Sequence, residues 1–179
     1  MYKYLVLLEC SNTEEYNMNS SIIILFLFAF TIHNLEEAVW LTRQSSAAGK
    51  VKMHKAVTQD QFLFGLFWVT GFAYLITALY IIYPDVALFK YAYFGYVSGM
   101  IFNIIFPHLI STIIERCYSP GLFTGLLVIV PIDSLIMKTG LAANVISVSE
   151  LIISTIIAGV VIMASIPFSF KAGKKLITY

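Results

Sequence analysis

The sequence contains few charged residues. Asp, Glu, Lys and Arg together make up 12% of the chain, whereas a soluble globular domain carries roughly 25%. Hydrophobic residues account for 59%, and the mean hydropathy is +0.85. This scarcity of charge excludes an ordinary soluble enzyme and predicts an integral membrane protein in a lipid bilayer. The net charge of +1, without a basic stripe, indicates no nucleic-acid partner.

Cysteine and known enzyme signatures are also scarce. Cys10 and Cys117 fall on opposite sides of the membrane in the topology described below, so we infer neither a disulfide nor a cysteine metal site. The hydrolase signatures Gly-x-Ser-x-Gly and His-Glu-x-x-His do not occur. An internal repeat, which many carriers have, is not found either.

Five long apolar stretches are present, and they predict an all-α fold: a polytopic membrane bundle of about five transmembrane helices. The predicted helices are about Ser20–Leu41, Gln61–Tyr83, Val86–Arg116, Leu122–Met137 and Glu150–Phe168. They form a single domain over residues 20–170. Residues 1–19 are predicted to be a flexible segment, with Met1 and Met18 both open as the true start, and residues 171–179 form a basic tail.

The distribution of Lys and Arg predicts the orientation. Most of them fall in the loop between the first two helices, in the turn after the third helix, and in the tail. By the positive-inside rule, the N-terminus lies outside and the C-terminus lies in the cytoplasm. His54, in the first loop, is interpreted as a solvated residue.

The first helix contains a polar motif in its middle. The run from residue 22 to residue 32 is apolar except for Thr31 and spans about 16 Å, half of a hydrocarbon core roughly 30 Å thick. His33, Glu36 and Glu37 follow it, with both carboxylates on the histidine's face of the helix. A carboxylate at that depth costs on the order of 2.5–3.5 kcal/mol, so ionisable groups there indicate function.

Three interpretations remain open for this motif. The face could hold a divalent metal ion through imidazole and carboxylate ligands. It could also hold a proton that moves between histidine and carboxylate. The third interpretation is a polar cluster that only joins helices.

The third helix provides a second polar region. Pro107 cannot donate a hydrogen bond, and its ring displaces the carbonyl of Asn103, so a kink is expected there. In the predicted topology, Asn103 and His108 lie at the same membrane depth as the first motif. Asp133 is a weaker candidate, because its depth places it nearer the opposite face.

These residues predict a membrane-embedded enzyme that acts on a lipid or other hydrophobic substrate from the cytoplasmic side. His33, Glu37 and His108 would bind one divalent ion (zinc, iron or manganese), whose activated water attacks an ester or phosphoester. Glu36 and Glu37 are the candidate catalytic carboxylates, with Glu36 as general base or further ligand, and Asn103 would orient the substrate. The alternatives are a small proton-coupled transporter and a non-catalytic binding or regulatory subunit.

Two stretches also resemble a known family. His33-Asn34-Leu35-Glu36-Glu37 resembles the motif of the HXXEE family of small bacterial membrane proteins. The segment from Asn103 to His108 and the turn Tyr118-Ser-Pro-Gly121 with Thr124 resemble the family's later region. The resemblance covers roughly residues 20 to 135 and implies a bacterial cytoplasmic membrane, but no established activity. Several relatives have His where this chain has Asn103.

Overall fold

A computed structural model describes residues 18–47 and 58–176, with side chains for residues 18–40 and 58–176. Several predictions fall outside this part of the chain: the flexible N-terminal segment, the position of Cys10, the loop that contains His54, and the last three residues.

The described residues form α-helices and two π-helical segments, and no strand occurs among them. The α-helices are Ser20–Ala47, Gln59–Ile82, Ala87–Asn103, Ile110–Glu115, Leu122–Thr124, Val130–Ala142 and Val148–Leu176, and the π-helical segments are Ile104–Leu109 and Gly125–Ile129. Within this part of the chain, five stretches are long and apolar enough to cross a membrane: Ser20–Trp40, Gln59–Ile82, Ala87–Glu115, Leu122–Ala142 and Val148–Leu176. We call them the first to fifth spans. The predicted all-α bundle of five membrane helices is confirmed.

Two spans begin slightly earlier than the sequence predicts, because polar caps precede their apolar residues. The Thr58 hydroxyl accepts a hydrogen bond from the Gln61 amide, and the Gln61 side chain accepts one from the Thr58 amide. Ser147 and Glu150 form the same reciprocal pair at the start of the fifth span. Each pair satisfies two backbone donors that a helix start leaves unpaired.

Three helices also end later than predicted. The first helix continues to Ala47, the helix of the fourth span to Ala142, and the fifth span to Leu176. The fifth span therefore includes the lysines assigned to the basic tail. A helix can continue past the hydrocarbon region because long lysine side chains reach the polar interface.

The third span is broken in the place where the kink was predicted. Phe106 has extended backbone angles (φ −134°, ψ 114°), Pro107 follows it, and the peptide bond between them is cis. The helical path resumes at Ile110. The break separates the N-terminal part of the span, which packs tightly in the bundle, from the C-terminal part, which carries His108. We call these the upper and the lower part of the span.

An aromatic core joins the first and third spans. Phe26 and Phe30 contact Tyr93 and Tyr96 edge-on, with ring centroids 5.7–5.9 Å apart. The Tyr93 hydroxyl also donates a 3.0 Å hydrogen bond to the Ile23 carbonyl oxygen. These contacts hold the two spans side by side, which the sequence alone did not establish, and they place His33 opposite the lower part of the third span.

Candidate functional site

Three ionisable side chains from the first and third spans meet in the interior. Glu37 Oε1 lies 2.9 Å from His108 Nε2 and 3.6 Å from His33 Nε2, and the three atoms are all within 4.8 Å of one another. His33 is 1% exposed, His108 6% and Glu37 9%. We call these residues the His/Glu cluster. It consists of the three residues that the sequence predicts as metal ligands.

A chain of hydrogen bonds favours one tautomer of His33. The Thr124 hydroxyl donates its single proton to Glu36 Oε2 at 2.6 Å. Thr124 Oγ1 is also 3.3 Å from His33 Nδ1, where it is then left to accept. This arrangement favours the neutral tautomer with the proton on Nδ1, in which Nε2 presents its lone pair to the cluster.

The lone pair of His33 faces another electron-rich atom. Within the described part of the chain, His33 Nε2 is buried without a hydrogen-bond partner, and its neighbour at 3.6 Å is a carboxylate oxygen of Glu37. Two acceptors buried this close together need a positive charge or a proton between them. Ligands of a tetrahedral ion at 2.0–2.2 Å lie about 3.4 Å apart. The 3.6 Å between His33 and Glu37 is compatible with a small cation, whereas the 2.9 Å between Glu37 and His108 is a hydrogen-bond distance.

Glu36 has different surroundings from Glu37. Its carboxylate accepts hydrogen bonds from the Gly121 amide at 3.1 Å, the Thr124 amide at 2.9 Å and the Thr124 hydroxyl. The Tyr118 hydroxyl donates to the same carboxylate. Glu36 thus caps the start of the fourth span, where unpaired amides attract a negative charge. The structure places it beside the His/Glu cluster and not within it.

The turn before the fourth span closes over the cluster. Gly121 has a positive φ of 90°, a conformation that glycine adopts without strain. A Cβ atom at this position would lie 2.8 Å from His33 Cε1, 2.9 Å from His108 Cε1 and 3.1 Å from Glu37 Cγ. Glycine is therefore required at position 121 for two reasons: the turn has a positive φ, and all three cluster residues approach it too closely for a Cβ atom.

His108 is positioned by its own neighbours. Its Nδ1 atom is 3.4 Å from Ser119 Oγ, and its Nε2 atom is 3.4 Å from Asn103 Nδ2. Asn103 is half-buried at the edge of the cluster, where it could orient a bound molecule. The position of Asn103 is compatible with its predicted role as a site residue, and that role stays a prediction.

Asp133 does not join the cluster. It is completely buried in the fourth span, and neither carboxylate oxygen has a hydrogen-bond partner within the described residues. It lies on the same span as Thr124 but nine residues further along, about 14 Å at helical rise. It therefore cannot contribute a ligand to the same ion.

A large cavity adjoins the cluster. It has a volume of about 700 Å³ and lies between the first, second, third and fifth spans. Glu37, Asn103 and His108 line its polar end, and the polar residues Asn34, Ser111 and Glu115 also line the cavity. The rest of the lining is mostly aliphatic and aromatic. Volumes of this size accommodate a ligand of several hundred daltons.

The sequence interpretation missed the roles of Tyr118, Gly121 and Thr124. It recognised them as a turn, because Ser-Pro-Gly is a turn signal, and as part of a family resemblance. Their bonds to Glu36 link positions 82 to 88 residues apart. Partial burial and the bond to Glu36 raise the pKa of Tyr118 to about 12, a signal that depends on the fold.

Comparison with known proteins identifies the family of this chain. A family described as "Protein of unknown function with HXXEE motif" matches residues 24–137. The chain belongs to the HXXEE family. The matched region contains the whole His/Glu cluster and the turn that closes over it.

A bacterial relative covers most of the chain. The uncharacterized protein YrkK of Bacillus subtilis (strain 168) is 40% identical over 151 residues, which is 84% of this chain and 94% of that protein. No solved structure matches the chain. Neither similarity carries an assigned activity, so the proposal below depends on the site itself.

Proposed function

We propose that this HXXEE protein is a membrane-embedded enzyme in which His33, Glu37 and His108 bind one divalent metal ion. It acts on a lipid or other hydrophobic substrate. The observation that carries the proposal is the unpaired lone pair of His33 Nε2, 3.6 Å from a Glu37 oxygen at the wall of a large cavity. A metal ion would satisfy both acceptors.

The ligand set is typical of catalytic and not of structural metal sites. Two imidazoles and one carboxylate leave at least one coordination position open, as in catalytic zinc sites and in non-haem iron sites. Zinc, iron and manganese are therefore the candidates. A bound ion of this kind polarises a substrate oxygen or activates a water molecule.

The surrounding residues have distinct tasks in this proposal. Thr124 fixes the His33 tautomer, which is the usual function of a partner behind a metal-binding histidine. Asn103 lies where it can orient a substrate oxygen. We assign Glu36 a positioning role in preference to that of general base, because both its oxygens already accept hydrogen bonds.

The same proposal includes the location of the protein. The distribution of Lys and Arg supports an outside N-terminus and a cytoplasmic C-terminus. The relative from Bacillus subtilis supports a bacterial source, and the cytoplasmic membrane is part of the proposal. The polar end of the cavity would then open towards the cytoplasmic leaflet.

Elemental analysis of the purified protein tests the proposal. The wild type is expected to contain about one equivalent of zinc, iron or manganese per chain, and His33→Ala should lose it. His54→Ala is the matched control, because His54 is the one histidine of the sequence besides His33 and His108, and the sequence predicts it in the loop between the first two spans. A folded wild type that binds none of these metals, even after incubation with each, would overturn the proposal.

One observation favours a second candidate. His108 Nε2 and Glu37 Oε1 are 2.9 Å apart, which is a hydrogen-bond distance and allows direct proton transfer. A metal-free enzyme that moves protons, or a proton-coupled carrier, would use this pair. In that case the purified wild type should be active without any bound metal, and Glu37→Gln should abolish that enzymatic or transport activity.

A further inference from the structure

The cavity beside the cluster is open because two spans diverge. At Gly95, in the upper part of the third span, a Cβ atom would collide with the Ser154 carbonyl oxygen of the fifth span. One turn further along each span, Gly99 and Gly159 line the cavity, and a Cβ at either would meet nothing within 4 Å. The third and fifth spans therefore touch at Gly95 and separate below it.

The second and fifth spans close the other end. A Cβ at Gly65 would lie 2.7 Å from Phe170, and one at Gly173 would lie 2.9 Å from Phe64. The cavity therefore lies between two close helix contacts, one at Gly95 and the other at Gly65 and Gly173. Its lining on the fifth span runs from Thr155 to Phe170, about 22 Å at helical rise, which exceeds the roughly 15 Å of one leaflet's hydrocarbon.

The lining changes character along this length. The upper part, near Gly99 and Gly159, is lined by Ile156, Val160 and Met163. These side chains are 62%, 63% and 70% exposed, so the cavity opens sideways towards the surrounding lipid there. The lower part contains the polar residues of the His/Glu cluster and its neighbours. A long apolar wall with one polar end matches a molecule with one hydrocarbon chain and one polar head.

The charges at the polar end restrict that head. None of the described residues that line the cavity is Lys or Arg, whereas Glu37 and Glu115 both line it. A divalent ion at the cluster would balance these two carboxylates and leave the polar end neutral. Among the described lining residues, an anionic head would have no cationic partner, and burying an unpaired charge is costly. Amide and hydroxyl groups of Asn34, Asn103 and Ser111 suit an uncharged head.

We propose that the cavity binds an uncharged single-chain amphiphile, of the long-chain alcohol, ester or amide class, with its chain between Gly99 and Gly159 and its head at Glu37 and His108. This inference rests on the proposed function for the reacting end and narrows its substrate class. It argues for a neutral ester over the phosphoester that the sequence also allowed.

Photo-crosslinking in phosphatidylcholine vesicles tests the inference. The probe is hexadecanol with a diazirine in its chain and a terminal alkyne. It should label the fifth span at Ile156, Val160 or Met163, and unlabelled hexadecanol should compete for these adducts. Palmitic acid and hexadecyl phosphate should compete roughly tenfold less well, because their heads are charged.

Two glycine variants provide the matched comparison. Gly159→Leu should reduce the competable labelling by about tenfold, because the new side chain fills the cavity. Gly71→Leu should not change it, since Gly71 also has open space around it but does not line the cavity. Gly99→Leu should repeat the loss from the opposite wall if Gly159→Leu does not fold.

Each result decides one proposal separately from the other. Equal labelling of Gly159→Leu and Gly71→Leu, or equal competition by hexadecyl phosphate, would overturn the amphiphile inference. Metal content is measured on the same samples. Competable labelling of a wild type without metal would retain the inference and reject the metal site, while metal binding without competable labelling would do the reverse.

Discussion

Glu36 and Glu37 are adjacent in sequence and lie in two different regions of the molecule. Glu36 faces the start of the fourth span, where two backbone amides and the hydroxyls of Thr124 and Tyr118 all donate to it. Glu37 faces the cavity, and its partners are the two imidazoles of His33 and His108. The first region is saturated with donors, and the second has more acceptors than donors.

This difference suits a half-buried and a buried carboxylate to separate roles. A carboxylate with a full set of backbone and hydroxyl donors holds elements together, because those bonds offset its removal from water. A carboxylate beside a histidine lone pair is left to bind a cation or a proton. The donors around each group, and not its position in the motif, indicate its role.

The largest expected effect concerns Glu37. Glu37→Gln keeps the side-chain shape but removes the charge and one acceptor, so metal content should fall from about one equivalent to nearly none. The amount of protein in the membrane should stay close to that of the wild type. Elemental analysis together with quantitative immunoblotting measures both. A variant that keeps its metal would remove Glu37 from the ligand set.

Glu36→Gln should show the opposite pattern. It weakens the charge-assisted bonds to Gly121 and Thr124, so the free energy of unfolding should fall by about 1.5–3 kcal/mol. Thermal unfolding in detergent, followed by tryptophan fluorescence, measures the change. Glu115→Gln serves as the control, since Glu115 is exposed at the end of the third span. Full loss of metal with unchanged stability would show that Glu36 belongs to the cluster.

Thr124→Val tests the link between the two regions. Valine has the same shape but cannot pass a hydrogen bond from Glu36 to His33, so metal affinity should fall by about tenfold. Thr124→Ser should restore most of it, because serine supplies the hydroxyl. Competition with a chelator measures both affinities. Equal metal affinities of Thr124→Val and Thr124→Ser would show that the hydroxyl between Glu36 and His33 does not affect the cluster.

The smallest effect is expected at Tyr118. Its raised pKa of about 12, against about 10 in the unfolded chain, means that the folded state retains this proton more strongly. The stabilisation from this group is fully present below pH 10 and is lost as the pH rises towards 12. Tyr118→Phe should therefore lose slightly less stability than the wild type between pH 10 and 12. The free energy of unfolding of both proteins is measured at several pH values. The same pH dependence for the variant and the wild type between pH 10 and 12 would contradict a contribution from the Tyr118–Glu36 hydrogen bond.

Much of the fold could be predicted from the sequence, because lipid imposes simple rules. A span must be long, apolar and helical, so five apolar runs predict five helices. The break at Pro107 follows from the proline ring itself. The ends were less predictable, since the caps at Thr58 and Ser147 and the lysines after Phe168 extend helices beyond their apolar residues.

The site was predictable only in part. His33, Glu36 and Glu37 are neighbours on one helix, so their common depth is local information. The meeting of His33 with His108 depends on contacts such as Phe26 with Tyr93, which lie far apart in the chain. No local pattern distinguishes the capping role of Glu36 from the cluster role of Glu37.

The sequence by itself determined the five apolar helices of the described residues and the presence of ionisable groups within the first and third of them. Hydrophobicity and helical spacing are properties of short segments, and they do not require knowledge of neighbours. The tertiary structure decided which groups meet, which are satisfied, and where space remains. Those features depend on close approaches between distant parts of the chain at two glycines. The backbone of the fifth span approaches Gly95, and the side chains of the His/Glu cluster approach Gly121, in each case more closely than a Cβ atom would allow.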